Sequence, residues 1–319
     1  MSHRHTLMAG AFCALALDAA ASCGAAFCAV NTDWATQGSA GEPGARIDLR
    51  YEHIDLDQPR HGRDRVSVGQ VPAHHDEVET RNRNWVATLD WALAPRWALS
   101  IALPWIDRDH HHIHNHRGEQ LHDRWRLRGL GDARVVGRYA LHSGGTDESP
   151  RAVGLSFGVK LPSGEYDRAN EAGALAERTL QPGTGTTDAI VGAWWNGAAP
   201  LEGWAWFTRM EAQLPMNSRD AFKPGRQLQA DAGVRRALGN SAALMLQANV
   251  LVKARDAGAN AEPADSGQRA LFVSPGISWN ATRELQLYAF AQVPAYQKVN
   301  GVQLTADWSA LAGVSLRFR

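Results

Sequence analysis

The chain has 319 residues, with 33 lysines and arginines against 33 aspartates and glutamates and 13 histidines, so its formal charge is zero with histidine neutral. That balance excludes the basic excess with which nucleic-acid binders neutralise phosphates, and 44% hydrophobic with 21% charged residues excludes bulk disorder. The negative mean hydropathy excludes a polytopic helical membrane protein but not a membrane β-barrel, whose strands are apolar on one face only.

Arg4, between two histidines, precedes an uncharged, mostly apolar run from Thr6 to Leu17, and the small residues Ala19-Ala20-Ala21-Ser22 follow. A short basic start, an apolar core and a small-residue stretch read as a secretory signal peptide, cleaved between residues 21 and 26. The domain reading is therefore a signal at 1–22, a short periplasmic segment at 23–43 and a barrel at 44–319. Cys13 leaves with the signal. Cys23 and Cys28 are spaced to close a small disulfide loop in an oxidising compartment, and the spacing differs from the C-x-x-C of zinc or redox sites.

From residue 44 a two-residue alternation sets in, the period of strands with one apolar face. Arg46 to Glu52 alternates without a slip; Trp85, Ala87, Leu89 and Trp91 share a face, as do Trp97, Leu99, Ile101, Leu103 and Trp105. The beat continues through Val135-Gly137-Tyr139, Val153-Leu155-Phe157-Val159, Ala189-Val191-Ala193-Trp195 and Trp206-Thr208-Met210. Further strands lie at Leu228-Val234, Leu244-Val252, Leu271-Trp279, Leu285-Val293 and Trp308-Phe318. That makes about twelve strands of roughly the 9–11 residues a tilted membrane strand needs. Long polar connections (56–79, 107–128, 163–187, 215–226, 255–268, 296–303) alternate with tight turns at Ala94-Pro95-Arg96, 143–150, Ala199-Pro200, Gly239-Asn240 and Asn280-Ala281-Thr282. Long loops outside and short turns in the periplasm are the rhythm of outer-membrane barrels. Tryptophans near strand ends (Trp85, Trp97, Trp105, Trp195, Trp204, Trp279, Trp308) suit the aromatic girdles of such barrels, and the last strand ends on Phe318, one residue before the terminal Arg319. The expected fold is an all-β, antiparallel up-and-down transmembrane β-barrel in a bacterial outer membrane.

Short motifs stand at successive strand–loop junctions: Gly129-Leu130-Gly131-Asp132, Lys160-Leu161-Pro162-Ser163-Gly164, Gln181-Pro182-Gly183-Thr184-Gly185 and Ser274-Pro275-Gly276. With Gln292-Val293-Pro294 and Val299-Asn300-Gly301 they resemble the outer-membrane barrels of the phenol-degradation (MetA-pathway) transporter family, over most of residues 44–319. The resemblance implies an outer-membrane β-barrel that passes small molecules.

Two local patterns bear on chemistry. Asp107 to His116, with His122 and Asp123 beyond, holds six of the 13 histidines. An extended backbone there turns His112, His114 and His116 to one side, and imidazoles beside carboxylates bind copper, nickel or zinc. His110, His112, His114, His116, His122 and Asp109 are the candidate ligands, and a divalent transition metal is the one cofactor suggested; incidental histidines on a solvated loop are the alternative. Gly154-Leu155-Ser156-Phe157-Gly158 fits the G-x-S-x-G string of serine hydrolases, but that chemistry needs a strand-to-helix turn, and here the string sits inside a strand.

The polar face projects Arg46, Arg50, Arg134, Arg138, Lys160, Arg209, Glu211, Asp231, Arg235 and Lys253 into the lumen. Twelve strands lie between the filled eight-stranded barrel and the wide pore of sixteen or more, so the lumen is expected to be narrow. The basic excess in that list favours anionic solutes, unless the charges pair across strands and close the bore. The leading expectation is a passive channel for small molecules, with outer-membrane lipids, a small solute and the barrel-assembly machinery as partners and no nucleic acid. A surface metal-binding protein and a non-conducting structural barrel are the alternatives.

Overall fold

A computed structural model describes residues 27–39, 44–72, 76–116, 119–146, 149–199 and 201–318. The expected signal peptide lies outside them, as does Cys23. In chain order the strands are β1 (Gly44–Leu56), β2 (Gln58–His61), β3 (Asp64–Arg65), β4 (Asp76–Ala94), β5 (Trp97–His116), β6 (Glu119–Leu130), β7 (Arg134–Thr146) and β8 (Ser149–Lys160). Then come β9 (Asp188–Ala198), β10 (Trp204–Pro215), β11 (Gln227–Leu238), β12 (Ala242–Lys253), β13 (Gln268–Asn280), β14 (Leu285–Val299), β15 (Val302–Thr305) and β16 (Ser309–Phe318).

Twelve of these close into an antiparallel ring, β1-β4-β5-β7-β8-β9-β10-β11-β12-β13-β14-β16, with β16 returning to β1. Closure leaves no unpaired edge in the wall, which is what lets strands cross a bilayer. The sheet is inside-out relative to a soluble barrel. Trp85, Trp97, Trp105, Trp279 and Trp308 are 45–52% exposed on the outside, whereas Asn82, Asn84, Gln247, Asn249, Ser274 and Ser315 are buried on the inside. The chain is therefore a membrane-type β-barrel, with its tight turns at one end, the periplasmic end in barrels of this kind, and its long connections at the other. Beyond the outer rim β15, β2 and β3 form a small separate sheet.

Two expectations are corrected. The stretch 107–128, expected as a loop, is mostly strand. β5 and β6 rise as a hairpin beyond the ring, and β6 and β7 are two parts of one descending strand that pairs first with the outer half of β5 and then with its inner half. On β5 charged and histidine side chains on both faces hide the period-two signal, whereas on β6 the beat persists as Arg124-Trp125-Arg126-Leu127-Arg128, its apolar face turned inward. The segment expected to lie in the periplasm is corrected as well, since residues 27–39 run through the barrel interior. Trp34 is 2% exposed and packs with Val30, Met245, Tyr288, Phe290 and Leu311, its ring edge-on to Tyr288 at a centroid distance of 4.9 Å. Burying such a side chain stabilises by about 3 kcal/mol, and it explains why four inward positions of a polar lumen are apolar or aromatic.

Candidate functional site

All ten lumen residues named from the sequence occupy the inward register, and most of them are neutralised there. Arg50 Nε lies 2.9 Å from Glu52 Oε1, Arg209 Nε 3.3 Å from Asp231 Oδ2, and Lys253 Nζ 3.0 Å from Asp256 Oδ1. Arg134 pairs with Glu211 on the inner face, from β7 to β10, three strands along the ring. Arg138 is held by two carboxylates, Asp33 at 2.6 Å and Asp90 at 2.9 Å. Arg46 and Arg235, together with Arg317, face the periplasmic mouth and join no ion pair among the described residues.

Residues 27–39 occupy the middle of this lumen as an extended segment ending in one π-helical turn, Ala35–Ser39. An extended backbone outside any sheet must find other partners for its amides, and the inner faces of the strands supply them. Gln247 closes a reciprocal pair with Asn31, accepting from its N–H at 3.1 Å and donating to its carbonyl at 3.0 Å. The Ala29 N–H donates to Gln292 Oε1 at 3.2 Å, Gln229 Nε2 donates to the Ala29 carbonyl at 2.8 Å, and Asn196 Nδ2 donates to the Thr36 carbonyl at 3.0 Å. Cys28 joins no disulfide among the described residues, and its Sγ lies 3.5 Å from Ser309 Oγ.

The family-like motifs converge at the outer end of the same lumen. Asp132 accepts from Lys160 Nζ at 2.8 Å, from the Gly164 N–H at 3.0 Å and from the Thr184 N–H and hydroxyl at 2.9 and 2.7 Å. Gly164 and Gly183 meet backbone to backbone: a Cβ on Gly164 would stand 2.7 Å from the Gly183 Cα and 2.9 Å from that of Gly131. This knot folds the 161–187 connection inward over the bore. Leu180 and Ala176 pack on Trp125 and Leu127 of β6, while Arg108 donates to the Leu180 carbonyl at 2.5 Å. Arg178 stacks on Tyr166 and Phe222, at 4.7 and 5.0 Å from the ring centroids, and its partial burial there lowers its proton affinity. Glu177 beside it is raised well above the usual carboxylate range by burial and by Glu262, Glu77 and Asp265. Between the N-terminal segment and this roof remains a cavity of about 400 Å³, lined by eight cationic and six anionic side chains.

The expected metal ligands divide between the two faces of the β5–β6 hairpin. His110 and His112 point inward; His110 Nδ1 is 2.7 Å from Thr80 Oγ1 and its Nε2 3.4 Å from His112 Nδ1, with His112 against Trp125. Asp109 and His122 point outward, Asp109 accepting from Arg124 Nε at 3.1 Å and His122 Nδ1 lying 3.1 Å from His111 Nε2. The side chains of His114 and His116 lie outside the described residues. Among the described residues no three His, Cys, Asp or Glu side chains converge as a metal set. Ser156 sits in mid-strand on β8, opposite Gly192 and Arg138. Sequence reading missed Asn31, Asp33 and Trp34. Their one visible signal is a large aromatic in an otherwise small and polar segment just before the first strand.

Among solved structures the chain resembles an outer-membrane channel from Pseudomonas putida F1, at a TM-score of 0.67 and 14% identity over 88% of this chain and 97% of that one. The NanC porin aligns at a TM-score of 0.45 and 10% identity, covering 85% of this chain and 100% of the porin. The translocator domain of the autotransporter NalP from Neisseria meningitidis aligns at 0.46 and 10% identity, over 89% and 93%. No curated protein matches the sequence. Residues 85–303 match the family model described as "Putative MetA-pathway of phenol degradation", and that match spans the Asp132 knot and most of the barrel wall. The chain belongs to this family.

Proposed function

We propose that this barrel is an outer-membrane channel for small molecules in which passage is limited by the chain's own N-terminal segment and by the inward-folded 161–187 connection. The observation that carries this reading is the cavity of about 400 Å³ between those two obstructions, with charge-paired side chains in its lining. A lumen of that kind is a built compartment rather than a packed core, and its volume suits a solute of a few to some twenty heavy atoms. The likeness to an outer-membrane channel supports the same reading.

The solute class follows from the charges that remain unpaired. Arg46, Arg235 and Arg317 surround the periplasmic mouth, and rings of like charge select the opposite ion. Purified protein in a planar bilayer under a potassium chloride gradient is expected to give small conductance steps with a reversal potential favouring chloride. Arg235→Glu with Arg317→Glu shifts that potential towards potassium. Absence of steps, both from the intact chain and from Asp33→Ala, contradicts the channel reading and leaves a structural barrel. Unchanged selectivity in the double variant removes the arginine ring from it.

A further inference from the structure

On the outward face of the β4–β5–β6 sheet the side chains fall into rows. The lowest row is Trp85, Trp105 and Leu130, paired across the three strands and exposed. The next row outward is Arg83, Asp107 and Arg128, then Arg81, Asp109 and Arg126, with Arg124 above. One row is two residues, about 7 Å along a strand and about 5 Å along the membrane normal at a tilt of ~45°. An aromatic row marks the edge of the hydrocarbon, and the headgroup zone beyond it is about 5–8 Å deep. By that spacing the first arginine row stands at headgroup depth, about 5 Å beyond the aromatic row, the second at its outer edge, about 10 Å out, and Arg124 above both.

The aspartates orient these arginines from the central strand. Asp107 lies 3.3 Å from Arg128 Nε, and Asp109 lies 3.1 Å from Arg124 Nε and 3.7 Å from Arg126 Nε. Each contact uses the inner nitrogen of the guanidinium, and the three β6 side chains remain 54–67% exposed. Arg81 differs, being engaged by Asp55 and Glu79. The outcome is three exposed guanidinium groups on one face of one strand, each meeting its aspartate through Nε. The planar fork of a guanidinium matches phosphate bidentately.

We infer that Arg124, Arg126 and Arg128 form a docking site for the phosphate groups of a phosphorylated lipid in the outer leaflet. Depth and charge agree on that occupant: a lipid phosphate is the anion held beside an aromatic row at the height of Arg128, and Arg126 and Arg124 continue the cationic strip above it. The site is independent of conduction, since it lies outside the barrel.

The test titrates the purified full chain with diphosphoryl lipid A by native mass spectrometry, against Arg124→Gln/Arg126→Gln/Arg128→Gln whose fold is checked by heat-dependent gel mobility. Loss of three charge-assisted contacts is expected to weaken binding by about tenfold or more, with dephosphorylated lipid bound equally weakly by both proteins. Arg126→Gln alone, at the most exposed of the three, is expected to weaken binding about threefold and decides the matter if the triple variant fails to fold. Unchanged affinity in either variant overturns the inference. So does inorganic phosphate that binds as tightly as the lipid, which would mark a soluble-anion site.

Discussion

Deleting residues 27–39 while keeping 1–26 is expected to raise single-channel conductance severalfold, the largest functional change available from a short alteration. The segment fills the centre of the lumen, and its partners there are side chains whose backbones belong to the closed ladder. Removing it leaves every strand pairing of the ring in place. The losses are local: Gln247, Gln292 and Asn196 return to water, and the apolar patch around Met245, Tyr288 and Leu311 becomes wetted. Arg138 keeps Asp90 as a partner when Asp33 goes, so no buried charge is left alone. Stability falls by the burial of Trp34 and Val30, about 5 kcal/mol together, while the cross-section opens. Asp33→Ala alone is expected to give a smaller increase and more frequent opening, because it unties one anchor of several. Planar-bilayer recording checks both; equal conductance in the intact and shortened chains contradicts the placement of the segment as an obstruction.

The second large effect is expected at Asp132. Its two carboxylate oxygens collect four hydrogen bonds, from Lys160, the Gly164 amide and the amide and hydroxyl of Thr184. In Asp132→Ala these donors lose their common acceptor, and Lys160 retains only the longer contact to Asp188, at 3.5 Å, together with neutral oxygens. Breaking a buried pair from one side costs about 3–5 kcal/mol. The cost falls on the junction between the wall and the 161–187 connection, so that connection should detach before the barrel unfolds. Limited proteolysis of intact cells is expected to cut within 161–187 in the variant and not in the unaltered chain, with the unfolded gel band appearing at a lower temperature. A connection that stays protected in Asp132→Ala contradicts the knot's role.

The wall was legible because a bilayer imposes a strict binary code on it. Every strand read from the period-two pattern exists, with its lumen and lipid faces as read: Arg138 and Lys160 are buried inside, Phe157 and Trp195 exposed outside. Legibility failed where that code does not apply. The hairpin of β5 and β6 rises out of the hydrocarbon, so Asp107, Asp109 and His111 sit on one face and Arg108, His110 and His112 on the other, with no apolar beat to mark the strand. The same alternation separates the histidines that proximity in sequence had grouped. The N-terminal segment was invisible for a different reason. It has no periodicity of its own, because several of its backbone groups are held by side chains more than 150 residues away, in Asn196, Gln229, Gln247 and Gln292, and the Cys28 N–H by Glu52. The motif residues were visible, yet their convergence on Asp132 was not, since nothing in their spacing says that Gly131, Gly164 and Gly183 touch.

The account depends most on the N-terminal segment lying inside the closed barrel, and the chain carries its own reporter for that. Cys28 Sγ lies 3.5 Å from Ser309 Oγ on β16, a separation from which a second thiol closes a disulfide without moving the backbone far. In Ser309→Cys, mild oxidation followed by peptide mapping is expected to recover a 28–309 linked peptide, with the small conductance of the plugged state locked until a reductant is added. If Cys28 instead stays unlinked to position 309 and reacts freely with a bulky maleimide, the segment lies outside the lumen and the account is contradicted.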